Sequence, residues 1–262
     1  MAARPLIAAI LVALFPIWAQ AQDPRPIIQT MQQEPYSFYN TTGDIDGYHF
    51  IIANMILAEA GFDHKAQVVP IKRMINDIAH GDADCTIAAS SPFAQKTFTM
   101  VEDIGYTLEV GILPKKGIDL RSYEDLSGLR IGVPAGMSIG DPFDSDTSLN
   151  KIETPDYEKS SLMLSFDRID AIMGAIESVR YSAFAKAGIM AEIFGQPLVT
   201  QRYPFKLMCT KSLPSDGYVK LLKEATQRLR DRGDIKRAID DFFSVSMSSL
   251  NSNAISTVNP IK

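Results

Sequence analysis

Two cysteines and three histidines are all the thiol and imidazole chemistry that 262 residues contain. His49, His64 and His80 stand apart from one another and from Cys85 and Cys209, and no metal-ligand spacing recurs. That excludes a recognisable zinc-type site. No Ser, His and Asp fall into a nucleophile arrangement, so nothing in the chain asks for catalysis. Lys and Arg never cluster densely: 26 of them stand against 31 Asp and Glu, for a formal charge of −5. This balance argues against a nucleic-acid partner. Beyond Trp18 no apolar run approaches the roughly 20 residues needed to cross a bilayer.

What is present begins with a leader-like segment. Arg4 precedes a short apolar run, Pro5 to Trp18, broken at Pro16, and Ala19-Gln20-Ala21 has the small-x-small pattern of a cleavage site. Residues 1–21 therefore read as a cleavable secretory signal, and the periplasm is the expected location. No Cys lies near the cleavage point, so a lipid anchor there is not expected. An oxidising compartment permits a disulfide. Cys85 and Cys209 each sit in an apolar, strand-like run, and the expectation is two separate buried thiols, with a bridge as the alternative.

One pattern occurs twice. A helix end, a short acidic turn and an apolar strand appear at Gly81-Asp82-Ala83-Asp84-Cys85-Thr86-Ile87-Ala88 and again at Phe166-Asp167-Arg168-Ile169-Asp170-Ala171-Ile172-Met173-Gly174. Helical periodicity flanks both copies, over Tyr48–Ala60 and from Pro70 to Gly81, then over Tyr157–Ser165 and Ile176–Ala187. This order predicts an α/β chain of two lobes, each a mostly parallel sheet flanked by helices. The expected division is lobe 1 over 22–106, lobe 2 over 107–198, a return to lobe 1 over 199–244, and a flexible Ser/Asn-rich tail over 245–262. Further strands are expected at Leu129–Val133, Ala191–Phe194 and Phe205–Cys209, and a helix start near Ser138.

Several segments carry a resemblance in their order and spacing. They are Glu34-Pro35-Tyr36-Ser37-Phe38 with Gly47-Tyr48, Gly81-Asp82-Ala83-Asp84, Ser90-Ser91-Pro92, the run from Tyr123 to Gly136 (YEDLSGLRIGVPAG), Asp167-Arg168-Ile169-Asp170-Ala171, and Leu229 to Ile235. Together they resemble the family 3 extracellular solute-binding proteins, the periplasmic receptors of polar amino-acid ABC importers. The resemblance implies a type II two-lobe binding fold, its lobes joined by two hinge strands, that closes on a small solute, without a cofactor, as a monomer that meets an ABC permease or a membrane sensor. It also implies two anchors for an amino acid: an Arg after the Ser-Pro step for the carboxylate and an Asp after the second-lobe strand for the ammonium. Ala94 and Ala175 stand at those positions here. Losing a buried charged contact typically costs about 2–5 kcal/mol, so a free α-amino acid is not the expected ligand.

Contacts to a small polar or anionic solute are therefore expected from other residues. Tyr36 and Phe38 lie on the loop after the first strand, where a ring can stack on a ligand. Ser90 and Ser91 end a first-lobe strand, and Gly136, Met137 and Ser138 open the expected second-lobe helix, whose N–H groups favour an anion. Arg73 is a candidate anion contact and Glu177 a candidate cation contact, each weighed against a plain solvated helix face. Three functions compete: a transport receptor, a sensory or accessory binder of the same fold, and a dehydratase-like enzyme using Glu177 or Glu34. The first is the expectation, and the chain is not expected to be an enzyme.

Overall fold

The computed structural model describes residues 25–213 and 217–244. The expected signal segment and tail lie outside the described residues. The chain opens with β1 (Gln29–Met31), and a hairpin of β2 (Phe38–Tyr39) and β3 (Ile45–Asp46) leads into α1 (Tyr48–Glu59). α1 buries Tyr48, Ile52 and Ile56 in one row and His49, Ala53 and Leu57 in the next, the four-residue spacing that turns one helix face to a core. β4 (Gln67–Val69) precedes α2 (Ile71–His80). Pro70 opens α2, and Gly81 closes it in the left-handed conformation at φ 84°, which a side chain would disfavour. β5 (Cys85–Ala89), α3 (Pro92–Thr97) and the 16-residue β6 (Thr99–Pro114) follow. Next come β7 (Arg130–Pro134), β8 (Asn150–Thr154), α4 (Tyr157–Ser165), β9 (Ala171–Ala175) and α5 (Ile176–Ala185). The chain returns through β10 (Leu198–Cys209), α6 (Tyr218–Asp231) and a helix α7 over residues 234–244.

Six strands form one sheet in the order β5-β10-β6-β9-β7-β8. In the second lobe β8, β7 and β9 run parallel. In the first, β4 pairs in parallel with β1, and an Ile28–Cys85 bridge joins that pair to β5. The long strands β6 and β10 lie between the two sets, antiparallel to each other and to their outer neighbours. They pair from Thr99–Cys209 to Ile112–Leu198 and so run through both lobes. Strand alternation splits the second-lobe core in two: Ile112, Ile131, Ala171 and Met173 face one side, and Leu113, Ile172, Ile176 and Val179 the other. The two-lobe α/β architecture expected from the repeated motif is the fold observed.

Three expectations are corrected. Cys85 and Cys209 are not separate thiols: they are direct cross-strand partners in the β5–β10 ladder, with Cα atoms 3.9 Å apart, and form a disulfide. Their pairing depends on the return of β10 across 124 residues, which strand-like composition does not encode. No helix starts at Ser138. Gly136 and Gly140 both take positive φ, and the Asp144 carboxylate accepts hydrogen bonds from Ser138 Oγ and from the Ile139 and Gly140 N–H groups, closing a loop instead. Ala191–Phe194 is not a strand but a 3₁₀ turn over Ala191–Ile193, followed by a single Lys115–Phe194 bridge. Four residues are too few for periodicity to separate the two.

Candidate functional site

β5 and β9 each end at the boundary between the lobes, and the segments after them turn away around a cavity of about 280 Å³. In the first lobe Ser91 caps α3, its Oγ accepting from Ala94 N–H at 3.3 Å, and Pro92 sets the first helical position. Ala88, Ala89, Ser91 and Ala94 thus line one side. Gly174 and Ala175 line the other, and Leu108, Val110 and Phe205 of the long strands form the back between them. Carboxyl ends of strands are where ligands of α/β sheets bind.

Among the described residues, the wall carries no Asp, Glu, Lys, Arg or His. Four methionines (Met31, Met74, Met137 and Met173) and the rings of Phe93, Phe98 and Phe205 supply much of it. Ala94 and Ala175, where the resemblance led the two anchors to be expected, both line the cavity. Its polar side chains are Gln33, Tyr36, Ser91, Ser138 and Tyr157. Most are already engaged. Tyr36 shares a hydrogen bond with Ser178 Oγ at 3.1 Å, Ser91 caps its helix, and Ser138 donates to Asp144. Tyr157 differs. Its hydroxyl oxygen accepts from Ala175 N–H at 3.2 Å, while among the described residues no acceptor takes its proton. Burial raises this phenol above its ordinary range, so it stays neutral. Gly174 makes its position available: a Cβ there would lie 2.3 Å from the Tyr157 hydroxyl.

Of the residues singled out in the sequence, Tyr36, Ser91, Met137 and Ser138 line this cavity. The other five do not. Phe38 packs its ring on Tyr181 and Phe242, with centroids 6.1 and 6.5 Å away. Arg73 points into solvent and pairs with Asp77 at 3.3 Å. Ser90 is buried with its backbone groups used: its N–H donates to Pro204 and its carbonyl accepts from Gln95 Nε2. Gly136 sits in an exposed turn. Glu177 lies half-buried beside the cavity rather than on it. Tyr157, Met31, Met74, Met173 and Phe205 escaped the sequence reading. Gly174, a glycine inside an apolar strand, was the one signal of a close approach there.

Glu177 occupies a cluster of its own. Tyr48 donates to its Oε1 at 2.6 Å and Tyr106 to its Oε2 at 2.8 Å, joining α1 and β6 to the first turn of α5. Burial pushes its carboxyl above the usual range, and the tyrosine hydrogen bonds pull the other way. It lines a second hollow of about 510 Å³ with Arg180, Tyr181 and Phe243. Glu34 is held by Lys186 at 2.9 Å. Neither carboxylate considered for acid–base chemistry therefore lines the smaller cavity. Behind Tyr36, His49 is fully buried between Tyr48 and Phe205, and burial drops its pKa to about 3, so it packs as a neutral ring.

The model of the bacterial extracellular solute-binding proteins, family 3, matches residues 27–245. A probable amino-acid-binding protein of Bacillus subtilis (strain 168), YxeM, is 20% identical over 221 residues, covering 82% of each chain. Among solved structures, an ABC uptake transporter substrate-binding protein from Streptococcus pneumoniae with bound histidine superposes with a TM-score of 0.64 at 16% identity, over 84% of this chain and 92% of that one. A histidine kinase sensor domain similar to periplasmic binding proteins gives 0.62 at 14% identity, over 84% and 96%. At such identities the solved structures speak for the fold alone, and the matched model carries the family: this chain belongs to the family 3 bacterial extracellular solute-binding proteins.

Proposed function

We propose that this protein is an exported receptor that captures a small solute between its lobes and presents it to an ABC importer. In this reading residues 1–21 direct export, lobe 1 comprises 22–106 and 199–244, and lobe 2 comprises 107–198. The protein works as a monomeric binder rather than an enzyme. One observation carries the reading: the 280 Å³ cavity is lined from both lobes, at the carboxyl ends of β5 and β9. A ligand there contacts both lobes, and contacts made only in the closed arrangement favour closure. The YxeM name and the transporter protein with bound histidine support solute capture in general. Alanine at both matched anchor positions argues against a free α-amino acid as the ligand.

A second reading is a membrane sensor's binding subunit. The same missing anchors favour it, and a histidine kinase sensor domain shares the fold. The experiment is a ligand screen on refolded, stripped protein, read by thermal shift and by small-angle X-ray scattering. A true ligand raises the melting temperature and reduces the radius of gyration. Uptake of that ligand by cells lacking the protein then separates transport, which is lost, from sensing, which leaves uptake intact. A panel that moves neither readout would count against solute capture altogether.

A further inference from the structure

Resting on the receptor reading, we propose that the interlobe cavity selects a small, uncharged, largely apolar molecule carrying one hydrogen-bond acceptor, which Tyr157 Oη engages. This departs from the polar or anionic solute expected from the sequence.

Among the described residues, no charged side chain lines the cavity. A zwitterion or an anion buried there finds no opposite charge, because none of the lining side chains is ionised at neutral pH. Burying a charge without a partner is strongly unfavourable. The wall is instead methyl, methylene, thioether and ring surface. Met31, Met74, Met137 and Met173 are unbranched and adaptable, and sulfur makes favourable contacts with aromatic rings. With Phe93, Phe98 and Phe205 they suit a planar hydrocarbon face. The volume of about 280 Å³ equals roughly nine water volumes, so it holds a molecule of roughly ten non-hydrogen atoms.

One polar feature sets the orientation. The Tyr157 hydroxyl is fixed by accepting the Ala175 N–H, and its remaining proton has no acceptor among the described residues. It stands at the end of β9, beside Ala175, where the resemblance places a carboxylate. A cation site has thereby become a neutral donor site. Gln33 adds an amide at the opposite lobe that makes no side-chain hydrogen bond among the described residues. Its two donors and one acceptor suit a neutral group and give no net charge.

The test compares size-matched probes on the stripped, folded protein by calorimetry and thermal shift. The neutral set is benzamide, acetophenone and p-cresol. The charged set is phenylalanine, phenylacetate and phenethylamine. The expected result is saturable binding of a neutral probe with a negative heat-capacity change, and charged probes about a hundredfold weaker or more. Tyr157→Phe is expected to weaken acetophenone about five- to tenfold while leaving toluene unchanged. Ala175→Phe is expected to block all binding, with circular dichroism and melting temperature confirming that each variant folds. Charged probes binding as well as neutral ones, and competing for the site that Ala175→Phe closes, would overturn the ligand class while leaving a solute receptor standing. Equal loss of toluene and acetophenone in a folded Tyr157→Phe would overturn the donor role. Binding by neither set, with no compaction on any solute of the wider panel, would sink the receptor reading and this inference with it.

Discussion

Glu177 sits where burial favours the neutral acid while Tyr48 and Tyr106 favour the anion. Burial is the larger influence, so the folded protein holds this proton more tightly than the unfolded chain does. The sign follows from linkage. Stability from such a group is fullest below its unfolded value near 4.5 and is lost as pH rises through its raised folded value. Urea unfolding of wild type and Glu177→Gln between pH 4 and 8 is expected to show that falling component in the wild type and its absence in the variant; superimposable pH dependences would remove the claim. At this scale the sequence was only partly legible. Tyr36, Ser91, Met137 and Ser138 came to the cavity, but for Met137 and Ser138 the expected reason, a helix start, was wrong. Residue type told where polar and aromatic groups were, not which way they turned. Glu177 lies two residues past Ala175, and helical turning takes its side chain to the tyrosines instead of the cavity.

Elements were more readable than residues, for a physical reason. α1, α2, α4 and α6 bury one face and start or stop at recognisable signals, such as Asp156 capping α4 by accepting from Lys159 N–H at 2.7 Å. The strands buried on both faces, β5 and β9, read as short apolar runs. β8, Asn-Lys-Ile-Glu-Thr, did not, because it is the edge of the sheet and Asn150 and Glu153 face water. The polar first half of β6 was missed likewise: there the strand is held by its pairing with β10, not by its own hydrophobicity. That same ladder carries the Cys85–Cys209 disulfide, and a native bridge over so long a loop is worth about 2–5 kcal/mol. Replacing both cysteines by alanine is expected to lower the melting temperature by roughly 5–15 °C while the far-ultraviolet circular dichroism stays unchanged. A shift under a degree would show that strand pairing alone secures this edge.

Across the whole molecule, the lobes are joined by more than the long strands. Tyr36 meets Ser178, Tyr48 meets Glu177, and Glu34 meets Lys186, so α5 of the second lobe is tied to the β1–α1 region of the first. These ties differ in weight. The Glu34–Lys186 pair is partly exposed, and Lys186→Ala is expected to cost less than about 1 kcal/mol. The Tyr36–Ser178 pair is buried, and Ser178→Ala removes one partner of the phenol while Glu177 stays beside it, at about 1 kcal/mol or more. Equilibrium denaturation of both variants checks the order, and a larger loss from Lys186→Ala would reverse it. Bending between lobes must also pass through β6 and β10, which are paired along their length. Their register shifts between Val199 and Gln201, and again between Pro204 and Lys206, where the ladder is locally disrupted.

The bridge between β5 and β10 has a topological consequence as well. It closes a covalent ring that begins before the first crossing strand and ends at the close of the second, so every residue of the second lobe lies inside it. A single peptide cut anywhere in that lobe opens the ring without dividing the molecule. Both pieces remain one covalent body until the sulfurs are reduced, joined where β5 pairs with β10.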